Sequence, residues 1–168
     1  MSQPPASTAA GEPVLVTGGA AFLEHAVRVV EAARLELVIC SAMLDRRVYG
    51  DETFIDRVRR FVLQHRRARL RVLVGQPQAA MRASHRLVEL GRALSSRIEF
   101  RQPAEERQLP ADEYLIADER VQLIRATPEQ LEARYFADAP MAARLQLRLF
   151  NALWEEAVPA REFSELRI

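Results

Sequence analysis

The strongest constraint on the fold is a pair of apolar runs of strand length with a helical stripe between them. The runs cover 35–40 (LELVIC) and 70–74 (LRVLV), and both are typical of strands buried on two faces. Between them, over 52–66, large apolar residues recur at helical spacing: Phe54, Ile55, Val58, Phe61 and Val62. A buried strand, an amphipathic helix and a second buried strand favour an α/β layer fold.

The segments on either side extend this pattern. A strand at 14–17 precedes a helical segment from Phe22 to Ala33, and a helix near 79–94 precedes a strand at 97–101. These segments complete three strand–helix crossovers, which predict a layered α/β/α fold with a mixed, mainly parallel sheet.

The C-terminal part has a different order of predicted elements. Strand-like runs at 113–117 and 120–125 flank Asp118-Glu119 and predict a hairpin. The elements that follow are a helical turn at Pro128-Glu129, a strand at 135–136 and a long helix at 139–157. Because that helix is apolar on more than one side, we expect it to be largely buried, with Phe150 and Trp154 in the core.

Length and composition predict one domain. Residues 1–12 are rich in Pro, Ala, Ser and Gly and are expected to form a disordered lead, with a single domain at 13–168. No stretch approaches the roughly 18 apolar residues of a membrane span, and no basic segment precedes an apolar one at the start. We therefore expect a soluble, cytoplasmic protein, in which the single Cys40 is buried and forms no internal disulfide.

The chain contains no lysine, and all 24 basic side chains are Arg. This absence excludes a P-loop lysine, a Schiff-base lysine and the Tyr-x-x-x-Lys pair of short-chain dehydrogenases. The net charge of +1 gives no general attraction to nucleic acid, which is not expected as a partner. Seven Arg nevertheless crowd into 57–71 without an acid. This cluster favours a solvated helix face, and anion binding is the alternative.

The segment VLVTGGAAFL at 14–23 superficially suggests a dinucleotide-binding turn. Such a turn needs three glycines, but alignment on Gly18 puts Ala21 at the second position and Glu24 at the third. A carboxylate at the start of the helix would repel a pyrophosphate. A strand-to-helix turn that uses Gly18 and Gly19 for their backbone freedom is the favoured interpretation, with a nucleotide-binding enzyme as an alternative.

From Phe22 to Trp154, the order of elements resembles one half of the phospholipase D superfamily. In those halves a hairpin carries His-x-Lys-x-x-x-x-Asp, and Asp118 stands where the aspartate would be. Counting back gives Ala111 at the His position and Glu113 at the Lys position. The resemblance therefore implies the fold without the catalytic pair, since the superfamily's chemistry uses an imidazole nucleophile and a lysine that balances phosphoryl charge.

The sequence is also similar to a bacterial family of phospholipase D-like domains that lack this pair. The similar segments are 41–45 (SAMLD), 85–87 (HRL), 94–98 (LSSRI), 116–118 (IAD) and 150–155 (FNALWE). Such domains occur alone or behind a GNAT acetyltransferase domain. The resemblance implies a non-catalytic binding or scaffold module whose ligand is a protein, a nucleic acid or a phosphorylated small molecule, with an acetyltransferase as one conceivable protein partner.

Candidate ligand-binding residues lie in the loop after the second strand and around the hairpin. We expect the two groups to meet at the carboxyl ends of strands, where α/β folds place ligands, and where a homodimer could join two copies of this polar cluster; a monomer is the competing outcome. The candidates are Ser41, Asp45, Arg46, Tyr49, His85, Asp118, Arg120 and Arg125.

Two further interpretations concern the histidines. A phosphodiesterase or nuclease with a rearranged site around His85 and Asp118 is the alternative function. For each of His25, His65 and His85, a packed or surface residue is the simpler interpretation. One Cys and three scattered His offer no metal-ligand spacing, so no metal and no cofactor are expected.

Overall fold

A computed structural model describes residues 11–82, 86–105, 107–110, 112–126 and 132–164. Its strands are β1 (Val14–Thr17), β2 (Glu36–Ser41), β3 (Arg69–Val74), β4 (Ile98–Gln102), β5 (Glu113–Ala117), β6 (Val121–Arg125), β7 (Glu132–Phe136) and β8 (Val158–Pro159). Its helices are α1 (Gly19–Ala32), α2 (Arg46–Tyr49), α3 (Glu52–Gln64), α4 (Pro77–Arg82), α5 (Arg86–Ala93), α6 (Pro140–Glu156) and α7 (Arg161–Ser164). The layered α/β fold predicted from the sequence is confirmed.

The eight strands form one sheet in the order β1-β7-β6-β5-β2-β3-β4-β8. The sheet is mixed, as predicted, but it is not mainly parallel. Among the seven pairings, only β2–β3 and β3–β4 are parallel. The difference arises because β5 pairs antiparallel to β2, and because β1 lies beside β7 at the sheet edge instead of beside β2. We call the edge where β2, β3 and β4 end the carboxyl edge, and the opposite one the amino edge.

Helices cover the two faces of the sheet unequally. Side chains along β2 alternate between the faces: Leu37 and Ile39 pack in a core that includes α1, α3 and α5, whereas Val38 and Cys40 pack in a second core beneath α6. Both sets are fully buried, so the two-faced burial expected of this strand is confirmed.

Helix α6 has one buried and one exposed apolar side. Phe150 and Trp154 are buried as predicted, and their rings stack with centroids 5.6 Å apart. The prediction that the whole helix is largely buried is wrong, since Met141, Leu145 and Leu149 are 85%, 61% and 55% exposed. The sheet can cover only one side of the helix, and no other element in the described part of the chain covers the outer side.

The glycine pair after β1 forms the predicted strand-to-helix turn. Gly18 precedes α1 with a φ of 89°, in the left-handed region that favours glycine. A Cβ on either glycine would have no heavy atom within 4 Å, so neither glycine is there for a close backbone approach.

Other local differences are small. The helix predicted near 79–94 is two helices, α4 and α5, and residues 83–85 between them lie outside the described residues. The turn predicted at Pro128-Glu129 also lies outside them. The short elements α2, β8 and α7 span only two to four residues each, too few for a periodic apolar pattern to predict them.

Candidate functional site

Three strand ends converge at the carboxyl edge. Strand β2 ends at Ser41, β5 begins at Glu113 and β6 ends at Arg125. Glu113 pairs directly with Arg125 across the hairpin, and Cys40 pairs with Tyr114 across β2–β5. This register puts Ser41 next to Glu113, and α2 brings Tyr49 to the same place.

Glu113 is the centre of a buried polar group that we call the Glu113 cluster: Ser41, Tyr49, Glu113 and Arg125. The Glu113 carboxylate is 4% exposed and forms an ion pair with Arg125, which is 12% exposed. The Tyr49 hydroxyl donates to Glu113 Oε1 at 2.8 Å, and the Ser41 hydroxyl donates to the same oxygen at 3.2 Å. Ser41 Oγ also accepts from the Leu44 backbone N–H at 3.0 Å.

The charges of the cluster are balanced within it. Burial, reinforced by the neighbouring Glu113 carboxylate, raises the pKa of Tyr49 well above its usual value, so the phenol remains a hydrogen-bond donor. The Arg125 guanidinium lies 4.5 Å from the centroid of the Phe22 ring. The cluster therefore holds neither a free nucleophile nor an unpaired cation, and it locks the strand ends together.

Asp45 and Arg46 lie in the loop beside the cluster. Asp45 caps α2 by accepting from the Arg47 backbone N–H at 2.9 Å and from its guanidinium at 2.7 Å. The bond from the Arg47 side chain lowers the pKa of Asp45, and the charge of Arg125 acts in the same direction. Arg46 is exposed. The structure thus brings together five of the predicted site residues at the carboxyl edge: Ser41, Asp45, Arg46, Tyr49 and Arg125.

Asp118 does not join them, so the expectation that the loop and hairpin candidates meet holds for Arg125 but is wrong for Asp118. It lies at the amino edge, where its carboxylate accepts from the backbone N–H groups of Arg34, Leu35 and Glu36 at 2.6, 2.9 and 2.9 Å. Because β5 runs antiparallel to β2, the end of β5 lies roughly 13 Å from its start at Glu113. Asp118 and Glu119 form the hairpin turn with φ of 49° and 56°.

The two remaining candidates are also separate from the cluster. Arg120 follows the hairpin turn and forms an exposed ion pair with Asp138 at 2.6 Å. His85 lies outside the described residues, although Arg86, which follows it, lines a surface depression together with Arg46 and Gly50.

A cleft of about 850 Å³ opens beside the Glu113 cluster at the ends of β2, β3 and β4. We call it the glutamine cleft, because four of its lining side chains are Gln76, Gln78, Gln102 and Gln108. Sequence reasoning missed it, although Gln-Pro pairs within two residues of the ends of two predicted strands, at 76–77 and 102–103, were a signal. The cleft wall is tight at Gly75, where a Cβ would lie 3.2 Å from Leu109 and 3.3 Å from Ala42 Cα.

In the described part of the chain, no group of three or more His, Cys, Asp or Glu side chains is placed to hold a metal ion. Cys40 is buried as predicted, and burial raises its pKa to about 12, which makes it a poor nucleophile near neutral pH. No helix in the same residues is long and apolar enough to cross a membrane.

The fold is similar to those of several solved structures, which include phospholipase D family members. Nuc from Salmonella typhimurium matches with a TM-score of 0.62 and 13% identity, over 88% of this chain and 98% of Nuc. Phosphatidylserine synthase of Haemophilus influenzae matches with a TM-score of 0.60 and 13% identity, over 93% of this chain but 41% of the synthase. The archaeal chromatin protein TrmBL2 matches with a TM-score of 0.62 and 16% identity, over 92% of this chain and 57% of TrmBL2.

The chain is thus an α/β domain with a phospholipase D-like fold. Within that class, the chain belongs to the family described as a domain of unknown function, DUF7931, which matches residues 19–166. No curated protein sequence matches it.

Proposed function

We propose that this chain is a non-catalytic binding module built on a phospholipase D-like fold. The observation that carries the proposal is the Glu113 carboxylate, which stands at the motif position of the catalytic lysine and is buried in an ion pair with Arg125. A carboxylate there cannot stabilise phosphoryl charge, and an Arg that is already paired is poorly placed to replace the lysine. The resemblance to domains behind acetyltransferases makes such an enzyme the first protein partner to test.

The nuclease alternative needs His85 and Asp118 in one site. Asp118 already accepts three backbone N–H groups at the amino edge, which weighs against a catalytic role. Arg86, which follows His85, lines a depression with Arg46 near the opposite edge, which weighs in the same direction.

Hydrolysis of bis(p-nitrophenyl) phosphate and of single-stranded DNA by the purified chain tests this proposal. We expect no turnover above buffer, with and without added divalent metal. His85→Ala is the informative variant, and His65→Ala, which changes an exposed histidine after α3, is the matched control. Turnover that His85→Ala abolishes and His65→Ala leaves intact would overturn the proposal in favour of the nuclease.

We also propose that the chain forms a homodimer, but through the outer side of α6 instead of the expected polar cluster, in which Glu113 and Arg125 already pair with each other. Met141, Leu145 and Leu149, which we call the α6 stripe, form a continuous exposed apolar surface on successive turns. In an antiparallel two-fold pair centred on Leu145, Met141 of one copy faces Leu149 of the other, so the stripe covers itself.

Light scattering at micromolar concentration tests the dimer. We expect twice the chain mass of 19.1 kDa for the wild type and the single-chain mass for Leu145→Glu. Leu63→Glu is the matched control, because Leu63 is 58% exposed on α3, away from the stripe. A wild-type mass of 19.1 kDa would refute the dimer.

A further inference from the structure

We propose that the glutamine cleft binds an extended, uncharged peptide segment of a partner protein. This inference rests on the proposed binding function and names the class of ligand. The cleft lies at the carboxyl ends of the parallel strands, where open α/β sheets bind ligands. Its volume of about 850 Å³ is in the range of ligand sites and accommodates several peptide residues.

The lining offers the hydrogen-bonding pattern of a peptide backbone. A glutamine side chain presents one carbonyl oxygen and two N–H donors, which complement the N–H and C=O groups of an extended chain. Four of the nine glutamines in the sequence line this one cleft. Gln102 gives the clearest indication, because its Oε1 is buried and has no hydrogen-bond partner. The Gln102 side chain is only partly buried, so rotation of its carboxamide would present that oxygen to a donor N–H of a bound peptide.

The charges of the cleft do not select an anion. The described charged residues that line it are Arg82, Glu105, Arg107 and Glu162, two of each sign. Arg107 is held by Glu156 at 2.8 Å and is not free to bind a phosphate. The cleft therefore has no net positive charge to attract a phosphodiester. The binding of an uncharged ligand does not depend on such a charge.

The apolar part of the lining also favours a peptide. It comprises Pro77, Pro103, Leu109 and Pro110 together with small residues, and it includes no aromatic side chain among the described residues. Sites that bind nucleobases without sequence preference stack them on aromatic rings, and the described lining has no such ring. Proline rings fix the loop backbone and give flat contact surfaces for aliphatic side chains.

Selection from a phage-displayed library of random linear peptides on the full chain supplies a probe. The most enriched sequence is synthesised with both ends blocked, and its binding is measured by calorimetry. We expect a weakening of at least about tenfold in Gln102→Leu and in Gln76→Ala. Gln76 is exposed, so its variant should fold even if Gln102→Leu does not. Gln64→Ala, which changes an exposed glutamine on α3, is the matched control and should bind like wild type.

Side-chain amide signals in a ¹H–¹⁵N spectrum locate the peptide independently. Those of Gln76, Gln78, Gln102 and Gln108 should shift on titration, and that of Gln64 should not. The inference is overturned if no peptide is enriched, if the enriched peptide binds folded Gln76→Ala as tightly as wild type, or if inorganic phosphate or a dinucleotide shifts the same four signals instead. The proposed function fails on a different observation, namely phosphodiester turnover.

Discussion

At the scale of single residues, the Glu113–Arg125 pair determines the character of the carboxyl edge. Two opposite charges are buried side by side and are further bonded to Tyr49 and Ser41. Removing one partner leaves the other charge buried and uncompensated, whereas removing both can be nearly neutral. The pair therefore stabilises the strand ends only as a unit.

A double-mutant cycle in urea checks this dependence. We expect Glu113→Leu and Arg125→Leu each to lower the free energy of unfolding by about 3–5 kcal/mol, and the double variant to lower it by clearly less than the sum. Arg120→Leu, which breaks an exposed ion pair in the same hairpin, should change it by about 1 kcal/mol or less. Additive losses in the double variant would contradict a coupled pair.

The sequence predicted the hairpin but neither this pair nor the place of Asp118. A two-residue turn at Asp118-Glu119 would put 113 opposite 124, whereas the observed turn also includes Arg120 and puts 113 opposite 125. This one-residue difference in register decides whether Arg125 lies across from Glu113. The side of β2 on which the hairpin pairs, and in which direction, depends on contacts between residues about 80 positions apart, which local patterns do not encode.

At the scale of elements, Asp118 fastens the β5–β6 hairpin to the start of β2. Its carboxylate accepts the backbone N–H groups of 34–36, and its own N–H donates to the Glu36 carbonyl at 3.0 Å. Each of these bonds joins elements that are distant in sequence. Asp118 thus has a clear structural role, which explains an acid at this position.

Substitution of Asp118 tests that task. Asp118→Ala should lower the free energy of unfolding by about 2–3 kcal/mol, because three backbone N–H groups lose their acceptor and alanine tolerates a φ of 49° poorly. Asp118→Asn keeps one acceptor oxygen and tolerates this conformation, so it should cost less. Urea titrations of both variants provide the measurement, and an unchanged midpoint for Asp118→Ala would contradict the structural role.

In helix α6, the sequence pattern could not predict which apolar side is buried. The apolar residues of 139–157 lie on two sides of the helix, and the pattern alone does not say which side meets the sheet. Phe150 and Trp154 face inward because Tyr114 and Arg71 supply ring and cation contacts beneath them. Leu145 and Leu149 face outward, where only something outside this chain's described residues could cover them.

At the scale of the whole molecule, the arginines are dispersed into pairs with acids. Arg57 contacts Glu31 and Asp56, Arg60 contacts Asp56, and Arg71 pairs with Glu36. Within the cluster at 57–71, Arg59, Arg66 and Arg67 are exposed and form no ion pair within the described residues. This is a small cationic surface on a chain with a net charge of +1.

We therefore expect weak or no binding to DNA, despite the fold shared with an archaeal chromatin protein. Fluorescence anisotropy with a labelled duplex at about 50 mM salt provides the measurement. Any residual affinity should fall steeply with salt and vanish when Arg59, Arg66 and Arg67 are changed to Glu. If the wild type binds tightly and the Glu variant does not, these three arginines form a nucleic-acid-binding surface.

Because Cys40 is buried at the centre of the sheet, the reactivity of its thiol reports when the sheet opens. The thiol lies on β2 between β3 and β5 and is the only one in a chain without lysine. A disulfide reagent at pH 8 should therefore label only those molecules in which β2 has parted from its neighbours. Because burial raises the pKa to about 12 from 9.0, folding favours the protonated thiol, and this contribution to stability declines as the pH rises above 9. The labelling rate should rise with urea in parallel with global unfolding, and native protein that reacts as fast as free cysteine would contradict a closed central strand.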